Sequence, residues 1–236
     1  MNQDIKKLME IINSSNNIVF FGGAGVSTAS GIPDFRSAKG IYSYTPEEVL
    51  SYDFFLMHTK EFYDFFWKNL VYEEAKPNPC HYFLTELEKK KKLKGIITQN
   101  IDGLHQMAGS KNVIELHGNI KTFSCIRCHR KYSIEEQKKT NQFICSNCGS
   151  LIKPDIVLYG ENLDENALEK SIDLISNCDT LIIAGTSLKV YPAAGLVHFF
   201  SGKNLIVIDK NEIFLPKNDA IFIKDAVEHV LNIKNL

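Results

Sequence analysis

The chain has 236 residues, 44% hydrophobic and 23% charged, the balance of a folded globular protein and not of a disordered, fibrous or collagen-like one. Folding at this size removes roughly 70–75% of the extended chain's surface from water, enough for one full core and a small satellite. Lys plus Arg total 27 against 28 for Asp plus Glu, so no global field favours nucleic acid or an anionic membrane.

From Asp4, the residues Ile5, Leu8, Met9 and Ile12 recur at helical spacing and predict a helix, followed by a buried strand at Ile18-Val19-Phe20-Phe21. The first ten residues carry Asp4, Lys6, Lys7 and Glu10 and lack a signal peptide's apolar block. The most apolar stretches, Ile18–Val26 and Thr180–Gly185, fall far short of the ~20 residues a spanning helix needs. A cytoplasmic location with no membrane partner is expected. Tyr42–Tyr72 is aromatic with helical spacing, and a helix is predicted over Pro79–Lys91. The lysine run Lys89–Lys92 with Lys94 reads as a solvated helix end before a nucleic-acid contact.

Short apolar runs bounded by polar residues or Gly predict strands at Gly95–Thr98, Val113–Leu116, Ile156–Leu158, Leu181–Ala184, Leu205–Ile208 and Ala220–Ile223. Helices are predicted over Asp164–Ser176, Pro192–Phe200 and Asp225–Leu231. This alternation defines an α/β fold with a mostly parallel sheet. Two stretches break it, one aromatic and one bearing cysteines. The expected division is a main domain of residues 1–41, 73–122 and 151–236, with a second, smaller domain of residues 42–72 and 123–150 inserted.

Cys125-Ile-Arg-Cys128 and Cys145-Ser-Asn-Cys148 give two C-x2-C units sixteen residues apart, the spacing of a zinc site. Four thiolates complete a tetrahedron and leave no open position, so the metal is expected to be structural, not hydrolytic. Cys80 and Cys178 are isolated and read as core thiols. A zinc ribbon can bind nucleic acid, but few aromatics and no dense basic cluster surround this one, and no direct nucleic-acid binding is expected.

Gly23-Ala24-Gly25 matches the opening of a dinucleotide fingerprint, but Thr28 stands at the third glycine position. Where a dehydrogenase places an acidic residue at the end of its second strand, this chain has Thr45-Pro46-Glu47-Glu48, a helix start. Hydride transfer is therefore disfavoured. Arg36, one of three arginines, lies near the loop as a candidate phosphate or carboxylate partner. Thr98-Gln99-Asn100-Ile101-Asp102-Gly103-Leu104-His105 puts amides and a carboxylate at the carboxyl end of a strand, where ligands bind in such sheets. His117 follows the next strand; a single histidine is more often packed than catalytic.

Taken together, Gly23–Ser27, Gly31–Ser37, Thr98–His105, His117-Gly118, the paired C-x2-C units and Gly185-Thr186-Ser187 resemble the sirtuin family in order and spacing across nearly the whole chain. The compact bacterial members are the most similar in plan. The resemblance implies a Rossmann-like large domain, a small zinc domain, and NAD-dependent deacylation of lysine in protein or peptide substrates. NAD would be consumed as co-substrate, releasing nicotinamide and O-acetyl-ADP-ribose. It implies that His117 is the general base, with Asn100 and Asp102 catalytic in the nicotinamide pocket beside Ile101. Ala24, Thr28, Phe35, Arg36, Gln99, Thr186, Ser187, Asp209 and Asp225 would contact NAD. Val157 would pair with the substrate peptide.

Three positions depart from the family pattern. Gly22 replaces a usual threonine and Asp209 a usual asparagine. Tyr63 is kept from the tyrosine–arginine pair that binds succinyl groups, but Phe66 stands at the arginine position, so poor desuccinylation is expected. Phe66 also reads as a core aromatic among Phe62, Phe65 and Trp67. Mono-ADP-ribosylation of protein and a non-catalytic NAD-binding scaffold are the alternatives, and retention of Asn100, Asp102 and His117 favours deacylation. A short chain without extensions is compatible with a monomer.

Overall fold

The computed structural model describes residues 3–33, 44–140, 142–213 and 220–236. The run β1 (Ile18–Gly22) is buried at every position. Such a strand needs partners on both edges and layers on both faces. Its edges pair in parallel with β2 (Leu93–Thr98) and β7 (Thr180–Ala184). Beyond these lie β3 (Val113–Glu115), β8 (Asn204–Ile208) and β9 (Ile221–Ile223), giving a six-stranded parallel sheet in the order β3-β2-β1-β7-β8-β9. The order reverses direction at β1, which creates a crevice above the carboxyl ends of β1, β2 and β7.

Alternation along β1 sends Ile18 and Phe20 to one apolar layer and Val19 and Phe21 to the other. The first layer is closed by α1 (Gln3–Ser14), α5 (Pro79–Lys89) and α9 (Val227–Val230). The second is closed by α8 (Glu165–Ser176) and the 3-10 helix Ala193–Phe199, where an α-helix is predicted. Cys80 and Cys178 are buried in these layers as free thiols. The lysine run is a solvated helix end, with Lys89, Lys90, Lys91 and Lys94 exposed; Lys92 alone is half-buried, its Nζ donating to the carbonyls of Ile12, Asn13 and Ser15 at the end of α1.

The expected large-sheet strand at Ile156–Leu158 is corrected. The strand is β6 (Ile152–Ile156), and it pairs antiparallel with β4 (Gly118–Cys125), whose other edge takes β5 (Lys131–Ser133). Pro154 lacks the N–H a central strand would need and suits the edge position it holds. Gly118, at φ +71°, turns the chain out of the large sheet, and a Cβ there would overlap the Asp155 carbonyl. The small sheet packs with α2 (Pro46–Val49), α3 (Tyr52–Met57) and α4 (Thr59–Asn69) around Phe55, Phe62, Phe66 and Phe123. The helices α6 (Leu104–Met107) and α7 (Ile134–Thr140) and the 3-10 turns Ala24–Val26, Thr28–Ser30 and Ile233–Asn235 complete the described elements.

Between α5 and α6 lie two buried histidines, His81 and His105, with ring centroids 4.7 Å apart. His81 Nδ1 accepts from the Asn78 amide. Neither ring nitrogen of His105 has a hydrogen-bond partner among the described residues. Burial pulls His81 down to about 4, and burial with the neighbouring His81 pulls His105 down to about 3, both from 6.5. The unfolded chain therefore takes up these protons as pH falls below 6.5 while the folded chain does not. Stability from the neutral pair is complete above that pH and is lost on acidification toward the folded values, at up to roughly 1.4 kcal/mol per pH unit for each group. Urea midpoints measured from pH 7.5 to 5 should fall steeply, and His105→Leu should flatten the slope.

Candidate active site

Glycine decides how closely the loops at the crevice approach. Gly25 N donates to Gly185 O at 2.8 Å, and a Cβ on Gly25 would sit 2.7 Å from the Gly185 Cα. Gly185 itself lies at φ +59°, where an L side chain is strained. The loops after β1 and β7 thus meet backbone to backbone and form one floor. A cleft of about 1050 Å³ opens above it, the size of a site for a large ligand.

Of the expected NAD contacts, Ala24, Thr28 and Gln99 line this cleft, as do Thr186, Ser187, Asp209 and Asp225. Gln99 Nε2 donates to Thr186 Oγ1 at 2.9 Å, tying the β2 loop to the β7 loop. Asp209 Oδ1 accepts from the Asn211 amide at 2.8 Å, and Asp225 Oδ1 accepts from the Ala226 amide. The latter carboxylate also pairs with His229. Phe35 and Arg36 lie outside the described residues.

Asn100, Ile101, Asp102 and His117 line the same cleft. Ser27 joins them, a residue to which the sequence alone assigns no role. Its Oγ donates to Asp102 Oδ2 at 2.6 Å and accepts from Asn100 Nδ2 at 3.1 Å. Leu104 N donates to the other Asp102 oxygen at 2.8 Å. Burial pushes the Asp102 carboxyl above the usual carboxylate range, while Ser27, the Leu104 amide and the charge of Lys121 pull against it. Ser27 closes the glycine motif that begins at Gly23, and only the fold brings it to Asp102, 75 residues along the chain.

His117 Nδ1 lies 3.0 Å from the Gln99 carbonyl. A carbonyl can only accept, so Nδ1 carries the proton and Nε2 is the basic nitrogen. Burial holds the imidazole below its usual pKa, partly offset by that bond. The ring is therefore neutral and able to take a proton at physiological pH. The His117 carbonyl accepts from Val157 N at 2.9 Å, and Val157 lines the cleft.

Tyr63 and Phe66 are corrected as cleft residues. Helix α4 buries Phe62, Tyr63 and Phe66 in the small aromatic core, where Tyr63 Oη donates to the Ile152 carbonyl at 2.7 Å and Phe66 packs edge-on against Phe123. The same helix turns Phe65 and Asn69, four residues apart on one face, toward the cleft. The tyrosine–phenylalanine spacing named positions on a helix but not which face the zinc module would cover.

The four cysteines converge as expected. Their sulfurs lie within 4.8 Å of one another, with Cys125–Cys148 at 3.4 Å and Cys128–Cys145 at 3.6 Å. Tetrahedral zinc–thiolate geometry needs edges of roughly 3.8 Å, so the donor set fits zinc. Tyr132 Oη donates to Cys145 Sγ at 3.1 Å. No cysteine lines the cleft, which keeps the metal's role structural.

A parallel sheet with glycine loops at its switch point, a histidine and a buried carboxylate lining one cleft, and a four-thiolate insert together define a dinucleotide-site protein with a zinc module. The Sir2 family profile matches residues 23–192. The chain is 52% identical to an NAD-dependent protein deacetylase of Clostridium perfringens over 98% of both chains, and 43% identical to one of Staphylococcus aureus, again over 98% of each. A solved Sir2 complex with p53 peptide and NAD+ superposes with TM-score 0.86 at 41% identity, covering 98% of this chain and 96% of that one. Another, with EX-527, 2'-O-acetyl-ADP-ribose and deacetylated p53 peptide, gives 0.85 at 41% identity over 96% and 95% of the two chains. The chain belongs to the Sir2 family.

Two outcomes follow from the geometry. Ser27→Ala removes a hydrogen bond to a buried carboxylate, worth about 1.5–3 kcal/mol, and should lower kcat/KM for NAD roughly tenfold to a hundredfold. Trp67, the single tryptophan, stacks near Phe123 in the core that also holds Cys125. Cys145→Ser or exhaustive chelation should release one zinc per chain and shift Trp67 fluorescence, both measurable with a chromogenic chelator in a fluorimeter.

Proposed function

We propose that the cleft residues perform lysine deacetylation with His117 as general base and the Ser27–Asn100–Asp102 network as the nicotinamide pocket. The chain is an NAD-dependent protein deacetylase, as the near full-length relatives are named. Bound NAD supplies an electrophilic anomeric carbon and a nicotinamide leaving group. The remaining work falls to the protein. Gly23, Ala24, Gly25 and Gly185 offer backbone that a diphosphate can approach closely, with Thr186 and Ser187 adding hydroxyls. Asp102, held by Ser27 and Leu104, orients a carboxamide, and Asn100 is fixed beside it. His117 Nε2 takes the proton from a ribose hydroxyl, because Nδ1 is committed to Gln99 O. That commitment is the observation that carries the reading.

The substrate is an acyl-lysine segment of a protein, laid beside Val157 as an added strand. Helix α4 presents Phe65 and the following Leu70 to the cleft, and two of the three arginines, Arg127 and Arg130, belong to the zinc module. An acetyl group suits this apolar wall, whereas a succinyl carboxylate buried against Phe65 and Leu70, neither of which can pair with its charge, would cost several kcal/mol. Among the described residues no helix is long and apolar enough to cross a membrane. Four metal-binding thiols and two buried free ones suit a reducing cytoplasm.

With an acetyl-lysine peptide and NAD, His117→Ala should lose roughly 10²–10⁴ in kcat, read as nicotinamide release, the range expected for a general base. A variant within threefold of wild type would remove His117 from the mechanism. N-methylating the peptide backbone beside the acyl-lysine should raise its KM at least about tenfold, as loss of a strand-type hydrogen bond requires. Acetyl peptide should exceed succinyl peptide in kcat/KM by more than about tenfold.

A further inference from the structure

We propose that Lys153 is a positioning residue for the acyl-lysine substrate: its ammonium staples the end of β6 to the turn after Val157 and holds the peptide edge in register with His117. The inference rests on the reading of Val157 as that edge. Lys153 does not line the cleft; it lies behind the wall, its side chain 14% exposed. Nζ has three protons, and three acceptors take them: the carbonyls of Pro154 at 3.1 Å and Ile156 at 2.7 Å, and Glu161 Oε2 at 3.0 Å.

Glu161 closes the loop from the other side. The oxygen that meets Lys153 also accepts from Leu158 N at 2.8 Å, and Glu161 N donates to Leu158 O at 3.0 Å. Gly160, at φ +93°, makes that tight return possible. Tyr159 is held from outside, its amide donating to Leu50 O and its carbonyl accepting from Tyr52 N, both at 2.9 Å. Val157 lies between the two anchors, one residue from the Ile156 carbonyl that Lys153 grips, and its own amide donates to His117 O.

The charge pair therefore sets the conformation of Val157–Glu161, not the chemistry. Lys153 is largely withdrawn from water, whereas Glu161 reaches the cleft and keeps the Leu158 amide, so removing Lys153 strips the Pro154 and Ile156 carbonyls of a shared donor and Glu161 of its charge partner, and the turn loosens. None of the described hydrogen bonds of Ser27, Asn100, Asp102 or Gln99 involves Lys153. The consequence is a split: peptide recognition depends on Lys153, NAD recognition does not.

The test compares wild type, Lys153→Met and Lys153→Arg, each with zinc bound, on an acetyl-lysine peptide and its backbone N-methylated form. Lys153→Met should raise peptide KM about tenfold and leave KM for NAD within about twofold. It should also shrink the N-methyl penalty, because a slack edge has less of a hydrogen bond to lose; Lys153→Arg, which keeps the charge and donors, should restore both. Should Lys153→Met fold poorly, Lys153→Gln keeps a donor for the Pro154 and Ile156 carbonyls without the charge, at a position that does not line the cleft, and should show the same split. Equal changes in both KM values, or an unchanged peptide KM beside a normal wild-type N-methyl penalty, would overturn the staple alone. Absence of any N-methyl penalty in wild type would instead overturn the Val157 edge and the staple with it.

Discussion

The contact between Gly25 and Gly185 governs the rest of the site. Two loops that leave neighbouring parallel strands would ordinarily be kept apart by side chains, and here a single Cβ at either position would push backbone from backbone. With none present, the β1 and β7 loops fuse into one floor. Gln99, bonded to Thr186, fixes the β2 loop to the same floor, and Gln99 O then orients the His117 ring. Apolar packing positions the strands, but this backbone contact sets the distances at which polar groups meet.

Polar groups above that floor are held by one another to an unusual degree. Ser27 comes from the β1 loop and Asn100 and Asp102 from the β2 loop, and each constrains the next. The buried Asp102 carboxyl is disfavoured by desolvation, so the donors around it stabilise a charge that the fold would otherwise suppress. His117 is kept neutral by the same burial. One environment thus prepares an acceptor and a base with opposite needs, because each has a different set of neighbours.

Much of this was legible in the sequence. Buried runs such as Ile18–Phe21 and Leu181–Ala184 identified central strands, since only a sheet covered on both faces leaves them dry. The paired C-x2-C units identified the metal module, because thiolate spacing is a local property. What failed was non-local. Ile156–Leu158 has the composition of a large-sheet strand, and only the turn at Gly118 and the edge position of Pro154 show that β6 belongs elsewhere. Tyr63 and Phe66 sit at the expected spacing on α4, but which face of that helix is covered depends on Phe123 and the zinc module. Ser27 was visible as a residue and invisible as a partner, its counterpart lying far along the chain.

Strand β4 begins at Gly118, directly after His117, and ends at Cys125, a thiolate of the metal cluster. At about 3.3 Å per residue His117 and the cysteine cluster lie at opposite ends of a strand some 25 Å long. Its pairing with β6 is regular from Phe123 onward and irregular between Gly118 and Phe123. A continuous ladder resists bending, so any rocking of the metal module against the parallel sheet has a defined axis across that irregular segment. The histidine stands at the cleft end of that strand and the thiolates at the other, so one strand joins the cleft to a cluster none of whose cysteines lines it.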